Sequence, residues 1–172
     1  SETVKELTVV VAPEKGLCGA LASGLEPLLT RHHGSFVSVG AKARGLILKN
    51  KRELLADFPL GLRLPGFDLV PPLAHLITDG FIRGEYSRVN IIYSHFVNTL
   101  KQTASEKQLL PIIMGVETVE KVIFRDYIFE PDPQSLMDSL LKHYLEIEIF
   151  QVLLESFASE QSARMISMKN AT

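Results

Sequence analysis

After Pro133 the chain runs to its last residue, Thr172, without another glycine or proline. The residues that most readily end a helix are missing from this stretch, and Asp132-Pro133 is a good place to start one. The Asp side chain can accept from a free backbone N–H, and proline suits the first helical position, where its missing N–H costs nothing. At about 1.5 Å per residue the uninterrupted helix would run roughly 60 Å. A compact globule of 172 residues has a radius of gyration of only about 16 Å, hence a diameter of roughly 40 Å. The spacing therefore predicts a C-terminal helix that protrudes from the domain carrying it.

Tyr144, Ile147, Gln151, Leu154, Ala158, Gln161, Met165 and Met168 recur along this helix at intervals of 3, 4, 3, 4, 3, 4 and 3 residues, a heptad seam. Glu160 and Arg164 add an i,i+4 pair in the favourable orientation. Phe150, Leu153 and Phe157 widen the apolar surface, so the lower half should be covered by the domain or by more than one partner helix. A seam needs a partner helix, and no second heptad segment is found; Ser1 leads within a few residues into an apolar, strand-like stretch. The expectation is a fragment holding one half of a truncated coiled coil, its partner lying before Ser1 or beyond Thr172. Left unpaired, the stretch near Met165 and Met168 should fray, fold back or pair with another copy. The competing reading is a core helix that stops short of Ser156.

Ahead of this helix the pattern is α/β. Leu7 to Ala12 is a continuous apolar run, the mark of a strand covered on both faces. Leu17, Ala20, Leu21, Gly24, Leu25, Leu28 and Leu29 follow at helical spacing, with Pro27 placed to kink or restart the helix. Ser35 to Gly40 reads as a second strand, Ala41 to Asn50 as a basic helix, and Phe58 to Pro72, with its prolines and glycines, as a connecting loop. Leu73, Leu76, Ile77, Gly80 and Phe81 mark a further helix; Val89–Phe96, Leu109–Met114 and Glu120–Phe129 read as extended. The sum is a Rossmann-like, doubly wound sheet with its later strands antiparallel at an edge, residues 1–131 forming the globular part and 132–172 the long C-terminal helix, the first part of a truncated coiled coil.

A parallel α/β domain invites a nucleotide-binding reading. The first strand–helix turn, Pro13-Glu14-Lys15-Gly16-Leu17-Cys18-Gly19-Ala20, contains neither G-x-G-x-x-G nor G-x-x-x-x-G-K-[ST], and Ala41 and Lys42 stand where a dinucleotide enzyme wants an acidic residue. Gly16 and Gly19 then serve a tight turn and close packing. Cys18, expected at a helix start that would lower its pKa, is a conceivable nucleophile with no His or Asp placed beside it by any motif; the alternative is packing. As the sole cysteine it cannot form an internal disulfide, which favours a reducing compartment. The five histidines have no metal-ligand spacing, and His32-His33 suits a polar cap at the end of the first helix. Lys42, Arg44, Lys49, Lys51 and Arg52 form a basic cluster that is either a solvated helix face or a contact for an acidic partner. With a net charge of −2 and no aromatic–basic interleaving, nothing recruits nucleic acid. No apolar run approaches a membrane span, so membrane association has to come through a partner. No catalytic, cofactor-binding or metal-ligating residue is assigned.

Several stretches together carry a resemblance. Glu130-Pro131-Asp132-Pro133, Tyr144-Leu145-Glu146, Leu153-Leu154-Glu155-Ser156, Ala158-Ser159-Glu160-Gln161-Ser162-Ala163-Arg164-Met165 and Met168-Lys169-Asn170-Ala171-Thr172 closely resemble the γ subunit family of F-type ATP synthases. Lys15-Gly16-Leu17-Cys18-Gly19-Ala20 looks like the family's first-helix motif, and Phe96-Val97-Asn98-Thr99-Leu100 with Gln108-Leu109-Leu110-Pro111 looks like its middle strands. The resemblance implies a central-stalk rotor with no active site of its own. Its N- and C-terminal helices would form an antiparallel coiled coil inside the α3β3 ring, and its α/β base would stand beside the ε subunit on the c ring. Ion flow, of protons or sodium, would turn the c ring and drive the β subunits through their binding changes. The location implied is peripheral, at the cytoplasmic face of a bacterial plasma membrane, held through the c ring. By motif position Tyr127, Phe129 and Glu130 would make contacts at the rotor foot, and Glu160, Gln161, Arg164 and Met165 would lie on the emerging shaft. The family's N-terminal helix and the far half of its C-terminal helix are absent from this chain, as is the dithiol segment of chloroplast-type members. Phe157 stands where the family more often carries a polar residue. The other function weighed is a nucleotide-dependent α/β enzyme with a C-terminal oligomerisation helix; a third is a coiled-coil adaptor.

Overall fold

The computed structural model describes residues 4–113 and 132–172. Five strands, β1 (Glu6–Val11), β2 (Ser35–Val39), β3 (Glu53–Phe58), β4 (Arg88–Asn98) and β5 (Lys101–Leu110), form one sheet in the order β3-β2-β1-β4-β5. β1 to β4 are mutually parallel, and β5 pairs with β4 antiparallel at the edge. The apolar run of β1 therefore lies at the centre, where Leu7 to Val11 are fully buried. Alternate residues serve opposite layers. Leu7, Val9 and Val11 pack with α3 (Val70–Ile82) and α4 (Pro133–Asn170), whereas Val10 and Ala12 pack with α1 (Glu26–Leu29) and α2 (Ala41–Lys49).

The doubly wound α/β layer with an antiparallel edge is as the sequence pattern implies, but several elements differ. β3, with the sequence Glu-Leu-Leu-Ala-Asp-Phe, is a half-exposed edge strand whose weak alternation hides it. β5 begins at Lys101, well before the expected Leu109, because its Lys-Gln-Thr-Ala-Ser-Glu-Lys half is polar and largely solvated. The helix expected from Leu17 shrinks to a 3-10 turn at Ser23–Leu25 and the short α1, in whose first turn Pro27 sits. Leu17 and Gly19 both adopt positive φ, 64° and 58°, which no right-handed helix accommodates. α3 starts at Val70 and absorbs Pro71 and Pro72 into its first turn, where their missing N–H groups cost nothing. Glu120–Phe129 lies outside the described residues.

α4 is one continuous helix of 38 residues, capped by the Asp132 carboxylate, which accepts from Gln134 N at 3.2 Å. At about 1.5 Å per residue it is roughly 57 Å long, against about 36 Å for the longest strand. Pro133 to Ser135 and Met168 to Thr172 are exposed at its ends. It does not fold back near Met165 and Met168 but is helical to Asn170, and Arg164 near its end lies against Cys18 of the loop that follows β1. Nor does it stop short of Ser156. Leu145, Ile149, Val152 and Leu153 share one hydrophobic core with the sheet and α3, so the long helix and the sheet are joined through common packing.

Candidate functional site: the exposed seam and its anchors

Residues 3 and 4 apart share a face of α4. One face is buried: Leu145, Ile149, Val152, Leu153, Ser156, Ser159 and Glu160, with Glu146 buried at its margin. The seam lies opposite, because each of its positions is about half a turn from that set. Tyr144, Ile147, Met165 and Met168 are 42, 55, 54 and 54% exposed; Gln151 and Gln161 are also exposed, and Leu154 and Ala158 half-buried. The chain thus folds with an apolar stripe turned to solvent, the arrangement that marks an interaction surface.

The two flanks of the seam differ. On one, Phe150 meets Phe67 edge to face, with ring centroids 5.4 Å apart. On the other, Lys107 of β5 reaches Glu148 at 3.6 Å and sits over the Tyr93 ring, while His95 of β4 pairs with Glu155. Burial, the largest influence, pushes the Tyr93 hydroxyl above its ordinary pKa. Two α4 side chains also bind strand backbone: Ser159 Oγ donates to the Ser94 carbonyl at 3.0 Å, and Glu155 Oε1 accepts from Phe96 N at 3.2 Å. Sequence reading missed Glu155 and Ser159. The only signal was two polar residues spaced i,i+4 within the apolar part of the helix.

Glu160 and Arg164, both expected on the shaft, face inward. Glu160 is only 2% exposed and receives Arg164 Nη2 at 2.6 Å; the same nitrogen lies 3.4 Å from Cys18 Sγ. That hydrogen bond holds the Arg164 guanidinium above its ordinary pKa. Cys18 stands in an irregular turn rather than at a helix start, so no dipole lowers its thiol; burial pushes it up, against the opposing pull of Arg164.

This ion pair occupies a telling place. In open α/β sheets ligands bind outside the carboxyl ends of the strands where the strand order reverses, here between β1 and β4. Arg164 and Ser167 of α4 instead lean there on Cys18 and Gly19, leaving beside them a cavity of about 300 Å³. The chain's own helix thus forms one wall of the crevice that nucleotide-binding sheets of this kind use. Among the described residues no group of three or more His, Cys, Asp and Glu side chains is placed to hold a metal ion, and no helix is long and apolar enough to cross a membrane.

The remaining sequence candidates have local work. Lys49 pairs with Glu26 at 3.1 Å, Arg44 lies 3.9 Å from Asp57, and Arg52 donates to the Thr30 carbonyl, so much of the basic cluster is engaged within the domain. His32 is buried between Glu6 and Glu106, at 3.2 and 2.9 Å. Tyr127, Phe129 and Glu130 lie outside the described residues.

The whole chain, residues 1–172, matches the family model described as ATP synthase. The chain belongs to the ATP synthase gamma family. It is 33% identical to the ATP synthase gamma chain of Roseiflexus castenholzii over 95% of its own length and 59% of that relative. The gamma chain of Methylacidiphilum infernorum is 37% identical, with coverage of 98% and 62%. This gamma-family chain therefore spans about three fifths of the length of the curated relatives it matches. Its fold superposes on the central stalk/c-ring structure of Tetrahymena thermophila mitochondrial ATP synthase with a TM-score of 0.79 at 26% identity, covering 99% of this chain and 79% of that one. A rotor chain of Euglena gracilis mitochondrial ATP synthase gives 0.71 at 18% identity, a likeness of fold.

Proposed function

We propose that the chain forms the base and the first length of the shaft of the rotor in an F-type ATP synthase. The observation that carries this reading is the seam itself, an apolar heptad stripe directed away from the base on a helix whose other face is buried in it. Such a stripe takes up a second helix at Tyr144, Ile147, Gln151, Leu154, Ala158, Gln161, Met165 and Met168, making a pair stiff enough to carry torque. Residues 1–131 act as the base and residues 132–172 as the shaft. Glu160 and Arg164 hold the shaft to the base where it emerges. The chain works with the α and β subunits of the catalytic ring and, through the foot around Tyr127, Phe129 and Glu130, with the ε and c subunits. It has no catalysis of its own. It is peripheral at the cytoplasmic face of a bacterial plasma membrane and meets the bilayer only through the c ring. Membership of the gamma family and the likeness to a central-stalk structure support this reading.

The test is assembly. The chain within its parent polypeptide is co-expressed with the α and β subunits, and a visible probe is attached to the base. The expected result is one copy per α3β3 ring and rotation of the probe during ATP hydrolysis. Failure to enter the ring, or saturable ATP or NAD binding with turnover by the chain alone, sinks the rotor reading.

A further inference from the structure

β1 accompanies β4 only as far as the Val10–Ile92 pair, whereas β4 continues to Asn98. Alternate residues of a strand turn their backbone groups to the same edge, so Ser94 and Phe96 share one. With β1 ended, no other described strand pairs with their carbonyl and amide on that side. A buried backbone group left unpaired is costly, and Ser94 is only 3% exposed. α4 supplies both partners, from Ser159 and Glu155, one turn apart. One helical turn spans about 6 Å, and two strand residues about 6.6 Å, so the two elements match in reach. Glu155 is further fixed by His95 on the same strand.

We infer that Glu155 and Ser159 are the positioning residues that set the register of the shaft helix on the base, replacing the missing length of β1. The inference rests on the rotor reading. The rest of the contact is the apolar set Leu145, Ile149, Val152 and Leu153 on the sheet and α3, with two side-chain links, Lys107 to Glu148 at 3.6 Å and Arg164 to Cys18 at 3.4 Å, neither of which reaches strand backbone. Apolar burial is non-directional, so it resists separation far more than sliding. Hydrogen bonds to fixed backbone atoms fail within an ångström or so of displacement. Any load that moves the helix over the sheet strains these two bonds first, because they alone among the links named here end on fixed strand backbone.

The experiment uses the assembled enzyme for stiffness and the chain itself for amide exchange, with the variants Ser159→Ala, Ser159→Thr, Glu155→Gln and Glu155→Leu. In Glu155→Leu the Phe96 amide is expected to exchange roughly tenfold faster while Ile91, inside the sheet, is unchanged. Glu155→Gln keeps an acceptor and protects Phe96. In single-molecule angle fluctuations, Ser159→Ala and Glu155→Leu lower the torsional stiffness of the rotor, and Ser159→Thr, which keeps a hydroxyl, restores it. Unchanged stiffness in Ser159→Ala and Glu155→Leu overturns the inference, as does equal softening by Ser159→Thr and Ser159→Ala. Should Glu155→Leu fail to fold, the Ser159 pair decides alone. A wild-type chain that assembles but never rotates fails the rotor reading instead, so the two failures are told apart.

Discussion

Arg164 Nη2 donates to Glu160 Oε1 at 2.6 Å, and the Glu160 side chain is 3% exposed. A buried carboxylate that loses the cation paired with it is left without compensation. Arg164→Met is expected to destabilise the chain by about 3 kcal/mol, whereas Arg164→Met with Glu160→Leu, which removes both charges, costs much less. Urea midpoints of the two variants and the parent check this. A double variant as unstable as the single one would mean that lost packing, not the stranded charge, sets the cost.

Cys18 offers a kinetic readout of the same corner. Its thiol is 6% exposed and burial holds its pKa above the ordinary value, so little thiolate is present near neutral pH. Labelling by a thiol reagent should be slow in the native chain, speed up as pH rises, and become fast in denaturant. Rapid native labelling at neutral pH would contradict the burial.

Gly80 lies in α3 beneath Tyr86, and a β-carbon there would come within 2.2 Å of Tyr86 Oη. The ring cannot swing aside, because it is 5% exposed and its hydroxyl donates to the Leu76 and Ile77 carbonyls at 2.9 and 3.0 Å. Alanine is the better helix former by about 1 kcal/mol, yet Gly80→Ala is expected to destabilise by about 1–3 kcal/mol from overpacking. Thermal or urea unfolding decides the sign. A stabilised variant would show that the ring can move.

Burial also pushes the Tyr86 hydroxyl up to about 12. Its folded-state value lies above the unfolded one, so between about pH 10 and 12 the unfolded chain gives up its proton first. The stabilisation is fully present below about pH 10 and is lost as pH rises through the folded value, by at most about 3 kcal/mol. Tyrosinate absorbance of the native chain should show a late-titrating hydroxyl that disappears in Tyr86→Phe. The steep alkaline loss of stability should flatten in the same variant.

How much of this was legible in the sequence depends on what each residue's neighbours are. β1 and α4 could be read from the chain because their signals are local: an unbroken apolar run, and a long stretch free of glycine and proline. β3 and the first half of β5 could not, since edge strands with one solvated face carry polar residues that blur any period. The seam's spacing alone sets a helix face, and on that face Tyr144, Ile147, Met165 and Met168 are exposed while Leu154 and Ala158 are half-buried. Ser159, Glu155 and the inward turn of Glu160 were not legible, since their partners Ser94, Phe96 and Cys18 lie far away in the sequence. The helix after β1 was misread because Leu17 and Gly19 carry a backbone conformation that apolar spacing does not report.

Ile147 and Ile149 are two residues apart on α4 and on opposite faces, 55% and 0% exposed. The same chemistry therefore separates stability from assembly. Ile149→Ala empties part of the shared core and should cost about 2–5 kcal/mol. Ile147→Asp changes a side chain that touches mostly water, so the isolated chain should lose no more than about 0.5 kcal/mol. Within the parent polypeptide, however, the proposed rotor places a second helix against this seam, and an aspartate there would put a charge between the two. Ile147→Asp is thus expected to leave the urea midpoint of the isolated chain nearly unchanged while sharply lowering incorporation into the α3β3 ring, measured by copurification with tagged β subunit. Normal incorporation of Ile147→Asp would mean that this stripe is not the face that meets a partner helix.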